Sequence, residues 1–391
     1  MTAQPTERAR PRDTWFYPAK LNDDLLDSGL SHEMADEALA CAWEYVRCIV
    51  PEFTNWDRYL ALVRIIALAT VAEVRGSLVD VSADDHLLGY DLDELLDTLF
   101  AGTPGHHDMA RECRANLLIS AEKSSDRRGS ELFRRYANAV AWSPHHWIRL
   151  RDCDALARFT IAGALACNNM CDAWFSEEEW HILAGLGDTL YDAVAYYKHR
   201  AEGETNNTFA YAGPELRSDC FRRYREVLWA LDTTAARDPK LRVAVNFVRP
   251  FGGPIQMMMR RYRFTDDGLT IGLPETDHVV HQTRQNYKLW FRSDARDSTS
   301  EGPRYPDVIA QQEKLLFPGL GDMLEHSGTP HCGRCRYRRS YGAKALGEFG
   351  GVELCNPCRD EWRAYLTDFP NRAAGVFRLS PPRQPRRPLP L

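Results

Sequence analysis

The feature that most limits the fold of this chain is a helical spacing of apolar residues, which runs from about Leu21 to about Leu320. Apolar side chains recur three or four residues apart, as they do on one face of an α-helix. The strict alternation that is typical of a half-buried strand is sparse. The pattern therefore predicts an all-α fold that is dominated by one large helical bundle.

Helix-breaking residues divide this region into separate helices. Ser143-Pro144 and Gly213-Pro214 are two such breaks. We predict helices over His32 to Ile49, Arg58 to Val79, Leu92 to Phe100, Met109 to Ser120, Glu131 to Val140, Asp154 to Phe175, Glu177 to Arg200 and Leu216 to Leu231.

The length of the chain, 391 residues with 44% hydrophobic, allows this bundle and one small further domain. We place the bundle at 13–320, a cysteine-rich module at 328–368, a disordered tail at 1–12 and a Pro- and Arg-rich tail at 380–391. No apolar run approaches the roughly 20 residues of a membrane span, and the N-terminal tail lacks an apolar signal core. We expect a cytoplasmic protein. Its net charge of −6 gives no reason to expect nucleic acid as a partner.

Four of the eleven cysteines form two C-x-x-C pairs, Cys332 with Cys335 and Cys355 with Cys358. Two such turns complete a tetrahedral zinc site. Because cysteines fill all four positions, no position remains for an activated water, and we expect the Zn²⁺ to be structural. The remaining cysteines show no framework of disulfide loops, which is typical of a reducing compartment.

The cysteine-rich module also suggests a different class of protein. The stretch Leu354-Cys355-Asn356-Pro357-Cys358 looks like the second half of a GATA-type zinc finger, so a DNA-binding regulator is an alternative. The acidic residues of the module oppose its arginines, and the module is only mildly basic. DNA-reading modules usually carry a stronger basic footprint, so we favour a structural or docking role.

Carboxylates at helical spacing indicate a second metal site. Asp188 and Asp192 are four residues apart and share a helix face, where two like charges destabilise the helix unless a cation lies between them. Mg²⁺ prefers such oxygens and accompanies diphosphates. Asn168 and Asp172, placed four apart on a preceding helix, would clamp Mg²⁺ from the other side. The alternative is that Asp188 and Asp192 merely cap a surface helix or pair with arginines on it.

Arginines supply the charge that a diphosphate needs, since planar guanidinium groups suit phosphate recognition. We assign this role to Arg200, Arg260 and Arg261. Further arginines flank acidic residues upstream: Arg149, Arg151 and Arg158.

Glutamates at three positions are candidates for proton transfer. Glu73 ends an apolar helical run, where a buried carboxylate without a partner is costly. It would exchange protons with a substrate, or it pairs with a neighbouring arginine. Glu202 and Glu204, which follow the Asp188 helix, are candidates for proton transfer or metal ligation, and we count Asp188 and Asp192 among the catalytic residues.

Long stretches of the sequence resemble one family from about Asp13 to about Phe377. They include Asp13-Thr-Trp-Phe-Tyr-Pro18, Leu88-Gly-Tyr-Asp-Leu-Asp93, Arg151-Asp-Cys-Asp-Ala-Leu-Ala-Arg-Phe-Thr160, Gly187-Asp-Thr-Leu-Tyr-Asp-Ala-Val-Ala195, Tyr197-Lys-His-Arg-Ala-Glu-Gly-Glu-Thr-Asn206 and Met257-Met-Met-Arg-Arg-Tyr-Arg-Phe264. The chain resembles the fungal α-ionylideneethane synthases of abscisic acid biosynthesis.

This resemblance implies a sesquiterpene synthase whose substrate is farnesyl diphosphate. The substrate would lose diphosphate and a proton to give a neutral farnesene, which is isomerised and then reprotonated to close the ring. The sequence departs from ordinary terpene synthases, since Tyr196 occupies the third place of their second motif. It reads Asn168-Asn169-Met170-Cys171-Asp172 where we expect a more acidic pattern in the family. A prenyl-binding protein without turnover is therefore a further alternative.

Overall fold

The computed structural model describes residues 16–202, 204–258, 304–337 and 349–379. Within these ranges the chain is overwhelmingly helical, as its apolar spacing predicts. The helices of the first half are α1 (His32–Ile49), α2 (Trp56–Val74), α3 (Leu92–Phe100), α4 (His106–Lys123), α5 (Glu131–Val140), α6 (Pro144–Ala155), α7 (Ala157–Cys167) and α8 (Glu177–Glu202).

The second half continues this helical pattern up to the cysteine-rich module. Its helices are α9 (Thr208–Ala212), α10 (Arg217–Ala235), α11 (Pro239–Phe251), α12 (Ile255–Met258), α13 (Arg304–Ala310), α14 (Gln312–Leu315), α15 (Leu320–His326), α16 (Asn356–Thr367) and α17 (Phe369–Phe377). Two short antiparallel hairpins join β1 (His86–Leu87) to β2 (Tyr90–Asp91) and β3 (Arg336–Tyr337) to β4 (Val352–Glu353). Nowhere in the described ranges does a helix combine the length and apolarity needed to cross a bilayer.

Side-chain caps explain where several helices begin. Asn55 accepts a hydrogen bond from the Arg58 N–H at the start of α2, and Ser130 caps α5 in the same way. Ser143 caps α6, whose first residue is Pro144, a position at which proline costs no backbone hydrogen bond.

Two long helices organise the bundle. Helix α2 packs against α1, α3, α4 and α7, and its side chains are buried almost all the way round. Helix α8 packs against α6, α7, α10 and α11. At Gly187 a Cβ atom would stand 3.2 Å from the Phe251 ring, so glycine permits the close approach of α8 and α11.

The predicted helices His32 to Ile49, Leu92 to Phe100 and Glu131 to Val140 are confirmed at both ends. The predicted helix from Asp154 to Phe175 is wrong. Leu156 takes a left-handed conformation, with φ of 53°, and separates α6 from α7. The Asp152 carboxylate then accepts the Arg158 N–H at 2.9 Å, which caps the new helix.

Candidate active site

A cavity lies where the last turns of α2, α4, α6 and α8 meet the segment that follows α8. The empty space among its lining side chains is about 750 Å³, including the part that is open to solvent. Apolar and aromatic groups form part of the wall: Tyr45, Ile66, Ala69, Ala155, Leu156, Tyr191 and Phe251. The polar part of the wall is formed by Thr70, Glu73, Asn116, Ser120, Lys123, Arg151, Asp154, His199, Glu204 and Asn206.

The ionisable side chains reach this cavity because four helices end there. Glu73 is the penultimate residue of α2, and Lys123 is the last residue of α4. Arg151 and Asp154 lie in the final turns of α6, and His199 lies in the last turn of α8. A helix C-terminus carries a partial negative charge, so a cavity walled by four such ends favours a positive charge inside it.

A chain of ion pairs runs along one wall of the cavity. Lys123 pairs with one oxygen of the Asp154 carboxylate, and Arg151 Nη1 donates to the other at 2.9 Å. Arg151 Nη2 then donates to Asp192 Oδ1 at 2.8 Å. Burial opposes the charge of Arg151, yet the carboxylates of Asp192 and Asp154 outweigh it and raise its pKa. The guanidinium of Arg151 is therefore a fixed positive charge.

Asp192 is fully buried and is held by more than Arg151. Its Oδ2 accepts the backbone N–H of Thr208 at 2.7 Å and the Thr208 hydroxyl at 2.9 Å. Burial raises the pKa of Asp192, and Arg151 and Thr208 oppose that rise. The cation beside Asp192 is thus the guanidinium of Arg151 on α6, although Asp192 does not lie on a surface helix as the arginine-paired alternative expected.

Asp188 is also fully buried, but neither of its carboxylate oxygens has a hydrogen-bond partner in the part of the chain that the structure describes. Burial raises the pKa of Asp188 well above its usual range; the Arg151 guanidinium opposes this rise, and the carboxylates of Asp152 and Asp192 add to it. The buried position therefore favours the protonated form of Asp188.

Asn168 and Asp172 are not part of this cavity, and the prediction that they share a helix is wrong. Helix α7 ends at Cys167, and Asp172 lies exposed in the loop beyond it. The Asn168 amide donates to the Glu52 carbonyl at 2.8 Å and to the Ala164 carbonyl at 3.0 Å.

This loop lies at the opposite end of α2 from the cavity. Asn169, the next residue, bonds to Asn55, which caps the first turn of α2. Glu73 is 18 positions further along the helix, or about 27 Å at 1.5 Å per residue. The structure therefore does not bring Asn168 and Asp172 to Asp188 and Asp192, and these four residues do not form a magnesium clamp.

The other predicted site residues are divided among three locations. Glu73 and Glu204 lie in the cavity wall, as candidates for proton transfer should. The Arg200 guanidinium stacks over the Tyr196 and Tyr197 rings at 5.2 and 5.3 Å, outside the cavity lining. The Glu202 side chain and all of Arg260 and Arg261 lie outside the described residues.

The sequence interpretation missed His199, Lys123 and Asp154 as site residues. A signal for His199 was present, because it follows Asp192 by seven positions and so lies on the same face of α8. The side-chain Oδ1 of Asn207 accepts the Phe209 N–H, so the Nδ2 group of the same side chain donates to His199 Nδ1 at 3.0 Å. A neutral His199 therefore carries its proton on Nε2.

Glu204 is held by its own backbone turn. Its Oε1 accepts the N–H groups of Thr205 at 2.8 Å and Asn206 at 3.3 Å. Glu204 is only 6% exposed, and the Asn206 amide donates to the buried hydroxyl of Tyr136. The turn thus presents an oriented carboxylate and a fixed amide to the cavity.

The four cysteines of the two C-x-x-C pairs converge as their spacing predicts. Their sulfur atoms all lie within 4.8 Å of one another, and the Cys332 and Cys355 sulfurs are 3.8 Å apart. A tetrahedral ion with bonds of about 2.3 Å places its sulfur ligands about 3.8 Å apart. The cluster therefore fits one metal ion, and it is the one group of three or more candidate ligands within the described ranges.

Comparison with known proteins gives one consistent family. The sequence profile described as Alpha-ionylideneethane synthase aba3 matches residues 13–379. The chain is 58% identical over 367 residues to Alpha-ionylideneethane synthase aba3 of Botryotinia fuckeliana strain B05.10, covering 94% of this chain and 83% of that protein. The chain belongs to this family.

Two further relatives of the alpha-ionylideneethane synthase family carry a related name, Alpha-ionylideneethane synthase abl3. The protein from Leptosphaeria maculans is 53% identical over 94% of this chain and 86% of its own length. The protein from Pyricularia oryzae strain Y34 is 46% identical over 97% of this chain and 87% of its own length. The family match spans both the cavity and the cysteine cluster, so both lie within the part of the chain shared with the family.

Proposed function

We propose that this chain is a sesquiterpene synthase that converts farnesyl diphosphate to α-ionylideneethane, a step of abscisic acid biosynthesis. The observation that carries the proposal is 58% identity, over nearly the whole chain, to a protein named for this product. The cavity supports it, because apolar and aromatic groups face a small set of acids, bases and cations across one space.

The proposed reaction is a carbon–oxygen lyase step followed by cyclisation. Farnesyl diphosphate would release diphosphate, lose a proton to give a farnesene, and be reprotonated for ring closure. Allylic ionisation creates a positive charge, and the four helix ends around the cavity favour such a charge by about 0.3–1 kcal/mol each.

We assign the proton transfers to Glu204 and Glu73. The Nδ1 atom of His199 already accepts the Asn207 amide, so His199 supplies a fixed N–H. Both glutamates are carboxylates of the described cavity wall, where a carboxylate can accept and return a proton. Glu204 is oriented there by the N–H groups of Thr205 and Asn206.

We assign diphosphate recognition to Lys123 and Arg151, the lysine and the arginine of the described cavity wall. Arg200, Arg260 and Arg261 remain predicted contributors. Magnesium was expected at Asp188 and Asp192, but Asp192 is not available as a ligand, because its oxygens already accept hydrogen bonds from Arg151 and Thr208. We assign no step to magnesium.

The metal of the cysteine cluster is proposed to be zinc. Four thiolates satisfy its tetrahedral preference and leave no open position, so its role is structural. None of the eleven cysteines, all of which lie in the described ranges, forms a disulfide, which supports a reducing compartment and the proposed cytoplasmic location.

The DNA-binding alternative predicts a continuous basic face on the finger and no cavity in the helical body. The cavity and its ion-pair chain favour an enzyme over that regulator. A prenyl-binding protein without turnover would share the cavity, and product analysis separates it from a synthase.

The test incubates the purified chain with farnesyl diphosphate and identifies extracted hydrocarbons by gas chromatography and mass spectrometry. We expect α-ionylideneethane. The variant Glu204→Gln keeps the size of the side chain but removes its proton-accepting charge, and turnover should fall by about 100-fold or more. Glu178→Gln, an exposed change on the first turn of α8, is the matched control and should be silent.

Absence of any hydrocarbon from the wild-type chain would refute the synthase assignment and leave the prenyl-binding alternative. Turnover of Glu204→Gln at the wild-type rate would remove Glu204 from the proton-transfer role and leave Glu73 as the candidate.

A further inference from the structure

We propose that the cysteine-rich module, through its residues 332–337 and 349–367, positions the turn that carries Glu204 and Asn206 into the cavity. These residues contribute nothing to the cavity lining. They contact the back of segment 204–213 instead. A metal ion at the four thiols would thus act on the cavity through packing and hydrogen bonds, without touching a substrate.

The first contact is between backbones. The Gly350 N–H donates to the Glu204 carbonyl at 3.0 Å. Gly351 has φ of +79°, and a Cβ atom there would lie 2.6 Å from Thr205 Cγ2. Glycine is therefore required at 351, both for its conformation and for the approach of the module to Thr205. The cavity-facing Glu204 is covered directly by the strand connection that leads to Cys355.

A stack of buried aromatic rings forms the second contact. Trp362 of α16 is 1% exposed and stacks on Tyr211 at 4.9 Å, with the ring planes 20° apart. The Tyr211 hydroxyl donates to the Thr205 carbonyl at 3.1 Å. Trp362 therefore supports, through one tyrosine, the same turn that Gly350 and Gly351 cover. Because such large rings remove much apolar area from water, this stack holds the module firmly against the turn.

The cysteines of the metal cluster lie close in sequence to the residues that make both contacts. Cys355 is the residue before α16 and Cys358 lies in its first turn, while Trp362 follows one turn later. Gly351 precedes Cys355 by four positions. Metal binding by four thiols organises short segments that cannot form a core of their own. Fixing Cys355 and Cys358 therefore fixes both the tryptophan and the glycine pair against segment 204–213.

The experiment compares two substitutions in the metal-loaded, full-length chain by hydrogen–deuterium exchange and mass spectrometry. Gly351→Ala adds a Cβ against Thr205, whereas Gly333→Ala, in the same module, adds one where nothing lies within 4 Å. Gly351→Ala should speed exchange of the 204–213 amides by about tenfold or more while leaving α2 unchanged. Gly333→Ala should exchange at wild-type rates. Both should retain bound metal.

A compensating change separates positioning from general destabilisation. Thr205→Ser removes Cγ2, the atom that the new Cβ would meet, and keeps the hydroxyl. The double variant Gly351→Ala/Thr205→Ser should recover part of the lost protection. Wild-type exchange in Gly351→Ala, or a double variant that behaves as the single one, would overturn the proposal.

If Gly351→Ala does not fold, Arg363→Ala takes its place under the same criteria. Arg363 Nε donates to the Ala212 carbonyl at 3.0 Å, so this change removes a module contact without touching a thiol. Arg334→Ala, an exposed change in the module, is its control.

Stripping the metal from the wild type with a chelator should expose the same 204–213 amides, and retained protection in the metal-free protein counts against the proposal. No substrate enters these measurements, so their outcome is independent of the synthase assignment.

Discussion

Arg151 holds together the buried charges around the cavity. It lies between Asp154 and Asp192, and neither carboxylate has much contact with water. Removing one member of a buried pair leaves a charge without compensation and typically costs about 3–5 kcal/mol. The same guanidinium faces the cavity, so at this residue stability and the proposed diphosphate recognition depend on one side chain.

The raised pKa of Asp188 can be tested through the pH dependence of stability. Its pKa is 3.8 in the unfolded chain and is raised in the folded one. Between these two pKa values Asp188 is protonated in the folded state and ionised in the unfolded state, so its contribution to the stability of the wild type falls as pH rises above about 4. In Asp188→Asn this contribution is absent. The free energy of unfolding of the wild type relative to the variant should therefore decrease from about pH 4.5 to about pH 7.

Urea unfolding of both proteins across this range is the measurement. The comparison uses the change with pH and not the offset, because the amide of the variant has its own hydrogen-bonding needs. Parallel curves for the two proteins would show that Asp188 is ionised in the folded state.

The lengths and end points of individual helices determine which residues can come into contact. Because α2 is 19 residues long, its two ends lie about 27 Å apart, and the loop after α7 lies at the end away from the cavity. The position of this loop depends on Leu156, whose left-handed backbone conformation redirects the chain between α6 and α7. The sequence pattern alone did not reveal this break, because leucine is an ordinary helix former.

Helix placement predicts that the Asn168 and Asp172 pair takes no part in turnover. Asp172→Asn should leave the rate with farnesyl diphosphate within about twofold of the wild type, since surface changes away from a site are nearly neutral. A loss comparable to that of Glu204→Gln would show that this loop reaches the reacting groups after all. Steady-state assays of the two variants side by side are sufficient.

The whole molecule joins a helical bundle to a cysteine cluster that would hold a metal. The division into 13–320 and 328–368 remains our proposal, but Trp362 is buried against Trp147 and Tyr211 of the bundle. A module packed in this way is expected to stabilise the bundle as well as itself.

The zinc content of the protein should depend on the four-cysteine cluster. Atomic emission analysis of the purified chain should give one zinc per molecule, and Cys355→Ser should lose it and lower the melting temperature. Cys48→Ser, a change at a half-buried cysteine of α1, should retain the zinc. A wild-type protein that is folded without any metal would contradict the zinc assignment.

The sequence by itself determined the helical class, the two C-x-x-C pairs and the face shared by Asp188 and Asp192, because each depends on spacings of a few residues. It also marked Glu73 and Glu204, which both line the cavity. Only the tertiary structure decided that Asp192 pairs with Arg151, and that Lys123 and His199 lie in the same site. These side-chain contacts depend on where helices end and cross, and local periodicity carries no information about either.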